Sequence, residues 1–187
     1  MNSSKQHYLF NILTIIIVLL TLNGLYSCSD DNDDDNSTKS YLSCPDDKHP
    51  HMIDLGLPSG TKWACCNVGA SSPEEYGGYY TYGEVSSTPS LDQIRELVDN
   101  CSYHWTTLNG VDGGRFFGMN GGSIFFPAAG YVEGDKHHAI GSSGYYWTST
   151  HGSSSSKIAY ELSFHYKGAF YGDKEEVDAR QSVRLVR

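Results

Sequence analysis

Positive charge is what this 187-residue sequence has least of: 13 Lys and Arg stand against 22 Asp and Glu, a net of −9. The cations are scattered and form no basic patch, which excludes nucleic acid as a partner. Long apolar runs are missing too. The stretch Leu9 to Leu22, LFNILTIIIVLLTL, falls short of the roughly 20 residues that a spanning helix needs. No internal repeat recurs at a fixed period. There is no G-x-S-x-G elbow for an activated serine. Its nearest look-alike, Gly141-Ser142-Ser143-Gly144, has the second glycine one position early and leads into a strand, so it reads as a turn. Nothing marks out a pair of carboxylates for glycoside hydrolysis. These absences together predict a chain that is not an enzyme and carries no cofactor.

What is present begins with an abrupt change of solvent preference. Residues 1–8 are polar with a single Lys5, the apolar run follows, and the pattern is that of a secretory signal; an uncleaved anchor is the alternative. The run ends at Leu25-Tyr26-Ser27-Cys28, which resembles the lipobox of bacterial lipoproteins, where the cysteine thiol takes a diacylglycerol and becomes the new N-terminus. The next residues, Ser29 to Asp35, resemble the acidic export signal that sends Bacteroidetes lipoproteins to the outer face of the outer membrane. Physical chemistry agrees with both likenesses. Each buried acyl methylene is worth about 0.8 kcal/mol, so several chains hold firmly in a bilayer. A run of aspartates repels itself and stays an extended, solvated tether. A calcium loop built on Asp31, Asp33 and Asp35 fails, because no glycine follows at the sixth loop position and Leu42 stands where the bidentate glutamate belongs.

The expected layout is therefore a signal peptide over 1–27, an acidic tether over 28–40 and a folded domain over 41–187. Lys5 is the one charge in the first segment, so the chain from Cys28 onward has a net of −10. The domain itself carries 11 basic against 17 acidic residues, a net of −6. Its 147 residues suffice for one real core. Gly, Ser and Asn recur between short apolar segments, as they do where turns join short strands. One helix is predicted near 90–101: Thr88 or Ser90 can cap it, Ser90 with Gln93 makes a capping box, and Leu91, Ile94, Leu97 and Val98 share a face. Asn109-Gly110 and Asn120-Gly121 are hairpin turn pairs. In Lys157–Tyr166, alternation puts Ile158, Tyr160, Leu162, Phe164 and Tyr166 on one face, and Ser182–Arg187 closes the chain as a further strand. The fold class is α+β with β dominant.

Six ordered segments carry a family likeness: DLGLPSGTKWACCNVGA (Asp54–Ala70), PEEYGGYYTYGE (Pro73–Glu84), ELVDNCSYHWTTLNGVDG (Glu96–Gly113), GGSIFFPAAGY (Gly121–Tyr131), GSSGYYWTST (Gly141–Thr150) and RQSVRLVR (Arg180–Arg187). Together they resemble the Fibrobacter succinogenes major paralogous domain, common in surface lipoproteins of Bacteroidetes. That family is similar in turn to the C-type-lectin-like fold, shared with formylglycine-generating enzymes. The resemblance implies a loop-rich single domain whose two ends meet in a terminal hairpin, with function carried on the loops. This chain is shortened in the middle, since Glu84 runs through residues 85–89 straight into the helix where family members carry a long insertion.

The resemblance also frames the candidate residues. Family members carry cysteine at the positions of Cys66 and Cys101, which implies a disulfide between them and leaves Cys44–Cys65 as a second; buried free thiols are the alternative. Oxidase chemistry of the formylglycine-generating type needs cysteines late in the chain, and none follows Cys101. The calcium and sugar triplets of animal C-type lectins do not occur, so glycan binding has to be metal-independent. The histidines, His49 with His51, His137 with His138, and His104, His151 and His165, read as surface residues rather than metal ligands. Trp147 is expected in the core, and Arg180 and Arg184 are expected to be structural. His151, His165 and Tyr171 are the candidate ligand contacts, with Cys28 as the lipid attachment site. The functional expectation is a surface-exposed outer-membrane lipoprotein, anchored by lipid and binding or displaying a glycan or protein. The alternative is a structural or assembly component of a cell-envelope complex.

Overall fold

A computed structural model describes residues 51–153 and 157–187. The segments expected to be a signal peptide and an acidic tether, along with Cys28 and Cys44, lie outside the described residues.

Among the described residues one helix forms, where the pattern predicts it. Helix α1, Leu91–Asn100, starts from Ser90, whose hydroxyl accepts from the Gln93 backbone while the Gln93 side chain accepts from the Ser90 backbone. This reciprocal box satisfies two of the donors that a helix start leaves unpaired. Ile94 and Leu97 are fully buried beneath it. The link into the helix is tied down at both ends. Val186 N–H donates to the Ser87 carbonyl, and Ser149 N–H donates to that of Pro89.

Strands account for most of the rest, in four small antiparallel sheets, so the fold is α+β with β dominant. Strands β1 (Met52–Asp54) and β2 (Lys62–Ala64) pair with each other. Strands β3 (Ser102–Leu108), β4 (Val111–Phe117) and β5 (Ser123–Pro127) follow as a meander. Asn109 and Gly110 both adopt positive φ, 48° and 85°, which is what a two-residue hairpin turn needs. At the second predicted turn only Gly121 has positive φ, and Gly118–Gly122 close a longer loop between β4 and β5. Strands β6 (Tyr131–Glu133) and β7 (Lys136–His138) form a short hairpin, and β8 (Ser143–His151), β9 (Ile158–His165) and β10 (Gly168–Glu176) form the longest sheet. Strand β11 (Arg180–Gln181) pairs with β6.

The end of the chain is less regular than the expected strand. Beyond β11 it runs extended and makes isolated bridges, Ser182 to Tyr146 and Val186 to Trp63. Lys62 and Arg187 exchange both backbone hydrogen bonds, and Ala64 N–H donates to Leu185. The C-terminus thus closes on β2.

Strand β9 also departs from simple alternation. Leu162 and Phe164 are buried as expected, but Ala159, Glu161 and Ser163 on the other face are buried too: Ala159 packs with Ala179, Val183 and Leu185, Gln181 of β11 donates to Glu161, and Ser163 donates to Asp173. Tyr166 lies past the end of β9 and is 69% exposed.

The main core gathers around Phe126. Its ring meets Trp63, Phe116, Tyr146 and Phe164 edge-on at centroid distances of 5.9, 5.4, 5.2 and 6.3 Å. Such edge-to-face contacts align each ring's positive rim with its neighbour's negative face. A second cluster of Ala64, Val68, Trp147, Ala159, Ala179, Val183 and Leu185 holds the chain end. Trp147 is buried there and donates its indole N–H to the Tyr80 carbonyl at 2.9 Å.

Candidate functional site

Strand alternation decides which side chains the β3–β4–β5 sheet offers to solvent. On β3, Tyr103 and Trp105 pack toward the core, which leaves Ser102, His104 and Thr106 for the outer side. The register then sets three residues in a row across the strands: His104 stands opposite Arg115, and Arg115 opposite Phe125. The adjacent row is Ser102, Phe117 and Ser123.

A groove of about 680 Å³ opens along this face, lined by Ser102, His104, Trp105, Thr106, Arg115 and Phe117. The His104 ring meets Phe117 edge-on at 5.4 Å, and Phe117 is 41% exposed. The Arg115 guanidinium lies over the Phe125 ring, 5.8 Å from its centroid. Phe125 is buried and can lie flat because β4 carries Gly113 beside it; a Cβ there would stand 2.6 Å from the Phe125 ring. A smaller hollow of about 280 Å³ shares Arg115 with the groove, takes Phe125 into its own lining and reaches Cys65. Among the described residues, no hydrogen bond or ion pair reaches the Arg115 guanidinium.

The residues expected to contact ligand do not converge. His151 ends β8, exposed, with its ring 4.4 Å from that of Tyr82. His165 sits at the β9–β10 turn beside Tyr166 and Phe170, and its carbonyl accepts from the Tyr103 hydroxyl at 2.8 Å. Tyr171 faces helix α1 instead: its hydroxyl is 3.3 Å from Asp99 Oδ2, and Arg95 lies over its ring. None of the three lines the groove.

The cysteine expectation is corrected. Cys101 is a free thiol, so the Cys66–Cys101 disulfide is not formed. The two residues belong to different packing clusters: Cys101 closes α1 against the main core, whereas Cys66 packs with Cys65 and Ala70. Burial, with the negative charge of Glu96 adding to it, pushes the Cys101 thiol up to about 11. Cys65 Sγ lies 3.4 Å from Cys66 Sγ and 3.8 Å from His51 Nδ1.

The strongest electrostatic perturbation of a carboxylate is at Glu161, which is 4% exposed. Burial raises its pKa to about 7, the hydrogen bond donated by Gln181 works against that rise, and the neighbouring charges of Glu175 and Asp173 add to it. Glu161 is too deeply buried to meet a solute, so its consequence is for stability. Arg184, also buried, donates to the carbonyls of Ala64, Cys65 and Phe125 and to Asn67 Oδ1. It holds the chain end against β2 and β5 as the structural role expected of it requires. Arg180 does the same more locally, donating to the Gly134 carbonyl.

Sequence reasoning passed over Arg115, Phe117 and Phe125 altogether and treated His104 only as a scattered histidine. Part of the signal was present. A two-residue turn at Asn109-Gly110 pairs Leu108 with Val111, and counting back along both strands sets His104 opposite Arg115. Among the described residues, no His, Cys, Asp and Glu cluster has the make-up of a metal site, and no helix is long and apolar enough to cross a membrane. No curated protein and no solved structure matches the chain. A family model described as a domain of unknown function (DUF8237) matches residues 102–186, the stretch that carries the whole of the groove.

Proposed function

We propose that this chain is a non-catalytic binding module, displayed at the cell exterior by a lipid on Cys28 in the outer membrane, that engages a glycan or a protein. The observation that carries the reading is the groove on the β3–β4–β5 face, where an arginine without a carboxylate partner is set among rings and hydroxyls. Unpaired charge of this kind at a concave, part-apolar face is what a ligand site provides and what a purely structural surface has no need of. The acidic tether, self-repelling and extended, would hold such a face clear of the membrane. The likeness to the Fibrobacter succinogenes major paralogous domain and its C-type-lectin-like relatives supports the same reading. So does the way the shortened link before α1 is bonded into the fold.

The test is an array of glycans and surface proteins probed with the full chain, beside a chain carrying Arg115→Gln and Phe117→Ala. Binding that the double variant loses is the expected outcome. An array blank for both chains sinks the reading and turns attention to assembly with other envelope proteins, which cross-linking on intact cells would show as one stoichiometric partner.

A further inference from the structure

The same groove indicates the chemistry of its occupant. We infer that it takes an acidic saccharide, with the sugar's carboxylate on Arg115 and its ring against Phe117 and His104. This rests on the binding-module reading and narrows it.

Charge comes first. The domain from residue 41 carries 17 acidic against 11 basic residues, yet among the described residues no Asp or Glu lines the groove or the smaller hollow that shares Arg115. The described surface leaves its carboxylates out of this concavity and sets a guanidinium in its wall. Contact with Phe125 occupies a face of that guanidinium and leaves N–H donors for a ligand, in the fork geometry that matches a carboxylate. His104, directly opposite on β3, offers a further ring nitrogen toward the same anion.

Size and lining then argue for a saccharide over a polypeptide. The volume falls within the roughly 300–1,000 Å³ of small-ligand sites. The hydroxyls of Ser102 and Thr106 flank the charge, and the half-exposed Phe117 ring, held edge-on by His104, offers a flat apolar plate. Sugars present that combination in mirror image: a ring of hydroxyls at the rim and a face of C–H groups whose partial positive charge suits an aromatic face.

The experiment is a calorimetric titration of the full chain, purified in detergent, with three probes at pH 7 and low salt: trigalacturonate, a neutral galacto-trisaccharide and a triglutamate peptide. The expected result is that trigalacturonate binds and the other two bind at least tenfold more weakly. Arg115→Gln should reduce the trigalacturonate affinity by about tenfold or more, the size of one charge-assisted contact. Arg115→Lys should keep part of it and Phe117→Ala should cost several-fold. Arg115 pairs with no carboxylate, so the variants should melt as the parent does, and a melt control separates lost binding from lost fold. Equal binding of the neutral trisaccharide, insensitive to Arg115→Gln, overturns the acidic-sugar inference and leaves the glycan reading standing. Triglutamate binding as tightly as trigalacturonate overturns the saccharide class and leaves a protein ligand. No binding of any probe overturns the inference, and the array then judges the wider reading separately.

Discussion

At the scale of single residues, two buried polar groups govern stability. Glu161 is the pH-sensitive one. Its carboxyl is held protonated in the fold up to about pH 7, whereas in the unfolded chain it ionises near the ordinary 4.5. Between those values the folded state binds more protons than the unfolded one, so stability falls as pH rises from about 4.5 to 7. At about 1.36 kcal/mol per pH unit, the full swing is on the order of 3 kcal/mol. Urea denaturation at pH 5 and pH 8 should show the parent weaker at pH 8, and Glu161→Gln, which keeps an acceptor for Gln181, should flatten most of that difference. A slope unchanged in the variant would place the dependence elsewhere. Arg184 carries more contacts, and burial pulls its guanidinium below the ordinary arginine range. Arg184→Lys keeps the charge and loses the planar fork that reaches three carbonyls and Asn67 at once. Burying carbonyls without donors is costly, so the substitution should destabilise by about 2–4 kcal/mol in the same denaturation assay.

Secondary elements show where the sequence speaks for itself and where it falls silent. Helix α1 was legible because everything that forms it is local: a cap at Ser90, its partner Gln93 three residues on, and an apolar face at helical spacing. The β3–β4 hairpin was legible for the same reason, since Asn109-Gly110 fixes both turn and register. Strand β9 misled, because its second face is buried in part by residues 179–185, which arrive from the chain end, and alternation within one strand cannot report that. The groove was illegible as a whole because the floor beneath its Arg115, the Phe125 ring, comes from β5 across a five-residue loop that sets no simple register. Gly113 links that floor to a prediction. A Cβ at this position would meet the Phe126 carbonyl at 2.3 Å as well as the Phe125 ring, and the carbonyl belongs to a paired strand that cannot simply swing aside. Gly113→Ala should therefore cost on the order of 1–3 kcal/mol, the usual range for overpacking. It should also lift Phe125 from beneath Arg115, so trigalacturonate affinity should fall along with the melting temperature, whereas Arg115→Gln lowers the affinity alone.

For the molecule as a whole, the last six residues matter more than their lack of regular strand suggests. Residues 182–187 bond to β2 through Lys62, Ala64 and Trp63, to β8 through Ser182 and to the link before α1 through Val186. They carry Val183 and Leu185 into the second cluster, Val186 into the first, and Arg184 among carbonyls of both β2 and β5. Burying three aliphatic side chains is worth roughly 1.5–3 kcal/mol each. The backbone bonds and the carbonyls that Arg184 satisfies come on top of that, and the total rivals the 5–15 kcal/mol net stability of an ordinary domain. Ending the chain at Gln181 should thus abolish the cooperative melt, observed by circular dichroism, rather than merely lower its midpoint. A truncated chain that still melts in one sharp transition would mean that the three sheets from β3 onward hold together by themselves. The contact of the chain end with β2 would then be an attachment to the fold and not its closure.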